Sequence, residues 1–424
     1  MIKFLFKGLI RDKNRSLLPV IVVALGVFLS VLAHAWITGI FGQSIEFNAN
    51  FSTGHMKIMT EAYFQNKNQR PNDLALMNTD QLLSEISRQY PNMEWAERIM
   101  FGGLIDVPDE EGETKAQGPA SGFGIDLLSE DTKEIQRMNL EQSLKKGDFP
   151  SRPGEILISD DFFEKLGVKI GEPVTLISST MFGGMAFYNF RIAGTVSFGS
   201  TVLDRGSIIA DITDVRQALN MENATGEILG FLGEAYFYEE KVNRIIEAFN
   251  AKYHDPDDAF SPFMVSLRDQ SNMALFVDFA GKMGTLISVI FIFAMSLVLW
   301  NAGLLGGLRR YGEFGVRLAI GEEKSHVYKT LIYESVMVGI IGSIIGSVIG
   351  ISLSYYLQNH GFDTSSMMKE ASIMMPTVFR AQVTSTSYYL GFIPGVASTT
   401  IGSMLAGIGI YRRKTAQLFK ELES

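Results

Sequence analysis

Four stretches of this chain carry no Asp, Glu, Lys or Arg over a length that can cross a bilayer. They lie between Arg15 and Glu46, Lys282 and Arg309, Glu334 and Asp363, and Arg380 and Arg412. A helix needs roughly 20 apolar residues to span the hydrocarbon core, and a basic side chain at mid-bilayer costs at least about 2.5 kcal/mol. Charge-free runs of this length therefore predict four transmembrane helices, with apolar centres near 17–41, 283–305, 335–357 and 388–411. The mean hydropathy of +0.14, with 20% charged residues, fits a chain of which only part lies in lipid. A basic start, an apolar run and the sequence Ala33-His34-Ala35 also suit a signal peptide. The run continues through Trp36, Ile37, Ile40 and Phe41, beyond a typical signal core, so it is expected to stay as a membrane anchor.

Charge distribution orients the four spans. Lys3, Lys7, Arg11, Lys13 and Arg15 precede the first, Arg309, Arg310, Arg317, Lys324 and Lys329 separate the second from the third, and Arg412, Arg413, Lys414 and Lys420 follow the fourth. Basic flanks stay in the cytoplasm, which places these three segments inside and the long segment after the first span outside. Residues 42–282 hold 37 acidic and 21 basic side chains, a net −16, whereas the rest of the chain carries +7. Such an acidic segment favours a soluble domain and argues against nucleic-acid binding. The expected layout is an interfacial helix at 1–16, spans at 17–41, 273–305, 331–357 and 386–411, an extracytoplasmic domain at 42–272, a cytoplasmic loop at 306–330, an extracytoplasmic loop at 358–385 and a cytoplasmic tail at 412–424.

The outer domain reads as mixed α/β. Strands are expected at 55–59, 98–107, 155–159, 174–178, 187–196, 206–210, 234–238 and 263–267, with helices at 78–89, 160–166, 215–219 and 239–252. The acidic run around Asp109, Glu110, Glu111 and Glu113 lacks the spacing of a calcium loop and reads as a solvated hairpin tip. Chemistry-bearing motifs are missing. Gly321-Glu322-Glu323-Lys324-Ser325 lacks the length and second glycine of a phosphate loop, so ATP hydrolysis is not expected in this chain. With no cysteine and five scattered histidines, His34, His55, His254, His326 and His360, neither a metal site nor a nucleophile is predicted. His34, inside the first span, reads as a hydrogen-bonded structural residue, with a proton relay or substrate contact as the alternative.

The most informative segment runs from Leu308 to Gly350. Glu313, Gly315, Arg317 and Gly321 stand in an E-x-G-x-R-x-x-x-G order, followed by Glu334 and by glycines at 339, 342, 346 and 350. A short helix over 309–320 would put Arg309, Glu313 and Arg317 on one face with Phe314 and Leu318 adjoining, a pattern suited to a partner's groove or to an anionic lipid surface. Gly342, Gly346 and Gly350 form a stripe for close helix packing, and Gly391, Gly395 and Gly402 with Ser398 form a similar one on the fourth span, where Pro394 is a candidate kink.

This segment resembles the signature region of the FtsX/MacB-type permeases of ABC transporters, and the four-span topology with an outer domain after the first span matches that family. Outside the membrane, Pro153-Gly154-Glu155-Ile156-Leu157-Ile158, the stretch from Leu166 to Leu176, Phe190-Arg191-Ile192-Ala193-Gly194-Thr195-Val196 and Asp204-Arg205-Gly206-Ser207 are similar to its MacB-like periplasmic domain, nearest to the lipoprotein-releasing Lol type. The tail Arg412-Arg413-Lys414-Thr415-Ala416 departs from the usual family ending.

The resemblance implies an α-helical membrane protein of four transmembrane helices with a large extracytoplasmic α/β domain, set in a bacterial inner membrane. It also implies a second permease subunit, identical or paralogous, and separate ATPase subunits that bind ATP and Mg. In that family Arg309, Arg310, Glu313, Phe314, Arg317 and Leu318 would form the helix that couples to the ATPase. The implied substrate is a lipoprotein passed to a periplasmic carrier, with Leu29, Leu32, Trp36, Ile40, Ile287, Ile290, Phe291 and Met295 as the apolar cleft or, equally, as plain lipid contacts. Export of peptides or small amphiphiles, or transmission of motion to a cell-wall hydrolase, are the alternatives.

Overall fold

The computed structural model describes residues 13–69, 71–233, 239–270, 273–364 and 378–412. The N-terminal part of the expected interfacial helix, the expected strand at 234–238 and the tail from 413 onward lie outside the described residues. The chain divides into a helical unit, Met1–Gln43 with Asp278–Phe362 and Val378–Ser424, and an α/β unit, Ser44–Val277 with Asp363–Thr377.

Among the described residues, four helices are long and apolar enough to cross a membrane. The first runs Lys13–Asn48, the second Met273–Leu308 and the third Lys324–His360, while the fourth consists of a π-helical turn Ile393–Ser398 followed by Thr399–Arg412. Pro394, at the start of that turn, cannot donate a backbone hydrogen bond, and the chain responds with a widened turn in place of a regular α-helix. The first three helices outlast their expected apolar centres, because helical hydrogen bonding continues into polar sequence once the apolar core is satisfied, whereas the fourth begins at Ile393, five residues later than expected.

Small residues set the packing of the helical unit. A Cβ on Gly346 would stand 2.3 Å from the Ala24 carbonyl oxygen, and one on Gly342 would stand 2.6 Å from Val23 Cγ1. Gly350 approaches Val31 in the same way, at 3.0 Å from its Cβ. The third helix thus lies against Val23, Val27 and Val31 of the first, all fully buried. On the fourth helix, a Cβ on Gly395 would meet Ser343 Oγ at 2.0 Å, and one on Gly402 would meet the Trp300 carbonyl oxygen at 2.3 Å. Backbone-to-backbone approach of this kind is what small residues permit in a membrane, where no hydrophobic drive pulls helices together.

The α/β unit is built on a ten-stranded sheet in the order β12-β1-β11-β3-β4-β9-β6-β8-β5, with β7 bridging β3 and β8. Its strands are β1 (Met56–Thr60), β3 (Met93–Pro108), β4 (Thr114–Ile125), β5 (Leu144–Gly147), β6 (Glu155–Ser159), β7 (Pro173–Ser179), β8 (Met185–Val196), β9 (Ser207–Asp211), β11 (Glu227–Leu232) and β12 (Pro262–Ser266). The short strands β2 (Leu76–Met77) and β10 (Ala224–Thr225) pair separately. Because β7 closes the path, strands β3, β4, β9, β6, β8 and β7 form a ring, and β3 carries on from it into the antiparallel sheet with β11, β1 and β12. Alternate residues along the ring strands, among them Ile99, Phe101, Ile105, Ile156, Ile158, Val174, Leu176, Phe190, Ile192 and Ile208, fill one core.

Three strands of this sheet, β4, β5 and β11, escape a search for apolar alternation, β5 because it is four residues long and carries two lysines. Strand β4 is rich in small residues because its glycines make room for aromatic rings. Gly122 lies opposite Phe101, and a Cβ there would fall 2.0 Å from the ring. Strand β11 is buried along its whole length and so shows no alternation. The acidic run is the tip of the β3–β4 hairpin, where the Asp109 carboxylate accepts the backbone N–H groups of Glu111 and Glu113.

Candidate functional site: the segment between the second and third spans

The second long helix stops at Leu308, Arg309 and Arg310 make a turn, and a separate helix runs Tyr311–Ala319. Gly321, at φ +102°, turns the chain sharply before the third long helix begins at Lys324. Arg309 therefore sits in the turn and not on the helix. The expected face of Arg309, Glu313 and Arg317 is not formed, because the helix starts two residues later than the charge spacing suggested.

Phe314 corrects the sequence reading most clearly. Expected on a face offered to a partner, it is fully buried against Tyr311, Val327, Leu331 and Ile410, with Leu318 half-buried beside it. The apolar side of the short helix is spent on its own unit. Tyr311 fixes it further by donating its hydroxyl to the Ala406 carbonyl, 2.6 Å away. A Cβ on Gly409 would lie 2.0 Å from that hydroxyl, so the fourth helix needs a glycine there. What the helix leaves outward is Val316 and, just past its end, Ile320, which is 82% exposed. These two stand at i and i+4, a spacing that marks one outward apolar strip in the sequence.

Two ion-pair clusters brace the segment. Arg310 reaches Glu313 at 3.3 Å and Glu334, on the third long helix, at 2.7 Å, and its guanidinium lies over the Phe314 ring. Arg317 grips Glu322 with two nitrogens, at 2.7 and 2.6 Å, and His326 Nδ1 lies 2.5 Å from the same carboxylate. The Arg317 hydrogen bond, reinforced by His326, pulls the Glu322 carboxyl down to about 2. A bidentate guanidinium–carboxylate pair fixes orientation as well as charge, so the turn after the short helix is held to it. Glu322 was missed as a site residue because it lies beyond the helix, and only the return of the chain at Gly321 brings it to Arg317.

The remaining candidates take plainer positions. Ile287 and Ile290 are exposed on the second helix, Leu29 is partly exposed on the first, and Leu32, Ile40, Phe291 and Met295 are half-buried. Trp36 meets Phe362 edge to face. The first two helices touch where Gly26 faces Leu299 and where Gly284 faces Phe41. His34 bridges Ser288 at 3.1 Å and Thr384 at 3.4 Å, the hydrogen-bonded structural arrangement.

A unit of four long apolar helices with a short charged helix packed against the third and fourth, together with a large α/β unit inserted after the first helix, is the architecture of a permease. Residues 16–275 match the MacB-like periplasmic core domain, and residues 285–415 match the FtsX-like permease C-terminal family. The chain belongs to the FtsX/MacB-type family of ABC transporter permeases. It is 24% identical to the lipoprotein-releasing system transmembrane protein LolC of Haemophilus influenzae, over 62% of this chain and 64% of that protein. It is 28% identical to the probable syringafactin export ATP-binding/permease protein SyfD of Pseudomonas syringae, over 37% of this chain and 22% of that protein. The alignments thus span less than two thirds of either relative. Among solved structures, the periplasmic region of MacB from Actinobacillus actinomycetemcomitans aligns with a TM-score of 0.35 at 14% identity, over 52% of this chain and 92% of that one.

Proposed function

We propose that this chain is the permease subunit of an ATP-driven complex that extracts lipoproteins from a bacterial inner membrane and passes them toward the outer membrane. The observation that carries this reading is the likeness to LolC, which extends over 62% of the chain against 37% for the export protein. ATP and Mg would be bound by separate ATPase subunits docked at the short helix Tyr311–Ala319, with Val316 and Ile320 as its outward apolar contacts. A second permease subunit would complete the translocation path, and Ile287 and Ile290, exposed on one chain, would face it or the substrate's acyl chains. Both termini would lie in the cytoplasm and the α/β unit outside, as the basic flanks require. The likeness to SyfD favours a second reading, export of small amphiphiles, which would use the same coupling segment.

A photocrosslinking residue at Ile290 in cells tests the substrate. Capture of acylated lipoproteins that falls when ATP is supplied is expected, whereas capture indifferent to acylation would favour export.

A further inference from the structure

A cavity of about 290 Å³ lies wholly within the α/β unit, apart from the coupling segment and from every residue assigned above. Its wall combines three cations, Lys57, Lys67 and Arg98, with one carboxylate, Glu227. Arg98 is fully used, since Nε donates to Glu134 at 2.7 Å and the two terminal nitrogens donate to the carbonyls of Phe51 and Asn50. Lys57 and Glu227 form a buried pair at 2.7 Å. Lys67 is left over. It lies over the Phe64 ring at 4.4 Å and has no carboxylate partner among the described residues. Burial first, and then the charge of Lys57, lower its pKa, and Glu227 offsets only part of this. An anion beside Lys67 would relieve both effects.

The rest of the wall is apolar and adaptable. Met59, Met100, Phe123 and Met273 line it, and methionine side chains conform to ligands of irregular shape. The cavity reaches the surface at Ser52, which is exposed. Its volume is about twice that of the ~150 Å³ engineered cavity known to hold benzene, enough for a headgroup and a short hydrocarbon segment but not a whole acyl chain. We propose that this cavity binds an anionic amphiphile, its phosphate or carboxylate at Lys67 and its first carbons against Met59, Met100 and Phe123.

The test uses the full chain in neutral detergent and titrates four probes by calorimetry: dihexanoyl phosphatidate, octanoate, dihexanoyl phosphatidylcholine and inorganic phosphate. Phosphatidate or octanoate should bind, the tighter of the two naming a lipid headgroup or a free fatty acid as the source. Lys67→Gln should weaken that binding about tenfold or more, the effect of losing one charge-assisted hydrogen bond, while Lys67→Arg should largely retain it. Met100→Trp, which fills the cavity without touching the charge, should abolish it, with the unfolding temperature of each variant checked against the parent. Equal binding of phosphatidylcholine, equal binding of inorganic phosphate, or an unchanged affinity in folded Lys67→Gln would each overturn the proposal.

Discussion

Replacing Arg98 by Met should loosen the start of the α/β unit more than any change on its surface. Arg98 is 2% exposed and Glu134 equally buried, and the guanidinium also satisfies the carbonyls of Asn50 and Phe51, both within the π-helical turn Ala49–Thr53. Breaking a buried ion pair by removing one partner costs about 3–5 kcal/mol, and each stranded carbonyl adds roughly 1–3 kcal/mol. Glu134 keeps a second partner in Arg137 at 2.9 Å, and water can enter from the adjoining cavity, so the low end applies. We expect a net loss of about 5 kcal/mol. For a unit of this size each kcal/mol shifts the midpoint by about 2–4 °C, which predicts a fall of roughly 10–20 °C. Thermal unfolding of the purified chain measures it, and hydrogen exchange at residues 49–53 should rise in parallel. Arg152→Met, at a pair where Arg152 is 69% exposed, is the control and should change stability by under about 0.5 kcal/mol. If Arg98→Met unfolded with the control and left exchange at 49–53 untouched, the clamp would have no energetic meaning.

Glu313→Lys would set a third positive charge beside Arg310 and Arg317, and it should weaken association with the ATPase or uncouple ATP turnover from transport, read by co-purification and ATPase assay. Gly346→Leu should prevent the first and third helices from closing, since even its Cβ would fall 2.3 Å from a carbonyl oxygen, and size-exclusion profiles and yield should collapse while Ile345→Leu behaves as wild type. The Glu322 carboxyl, held at about 2 against an ordinary 4.5, contributes stability that is complete above about pH 4.5 and lost as pH falls toward 2. Glu322→Gln should flatten the pH dependence of the unfolding midpoint in that window alone. Single cysteines at Lys115 and Lys324, in a chain that has none, should react with impermeant maleimide from opposite sides of the membrane, and labelling of both from outside would overturn the proposed orientation.

Much of the architecture was legible because its causes are local. Charge-free runs mark helices in lipid by composition alone, and Asp160–Leu166 and Ile212–Leu219 end at Gly167 and Asn220, residues that tolerate the left-handed turn the chain takes there. Strand β4 was not legible, because Gly122 is there for Phe101, a residue of another strand. The segment between the second and third long helices was illegible for the same reason. Spacing put Phe314 beside the charges, but its partners, Val327, Leu331 and Ile410, come from two other helices, and no window on the sequence contains all of them. Arg310 with Glu334 and Arg317 with Glu322 likewise depend on how the chain doubles back at Gly321.

The closing of the ring by β7 bears on aggregation. A strand with unpaired N–H and C=O groups is a template for another chain, and the large sheet of this unit has ten strands from which such a template could arise. Closure leaves the strand order ending at β5 and β12. Strand β5 is four residues long and carries Lys145 and Lys146, and β12 opens with Pro262, which has no N–H to offer. Short length, lysine and proline are the devices that discourage edge-to-edge pairing. Neighbouring copies of the unit can therefore crowd on a membrane surface without joining their sheets, and a substitution such as Lys146→Val would be the change that invites them to do so.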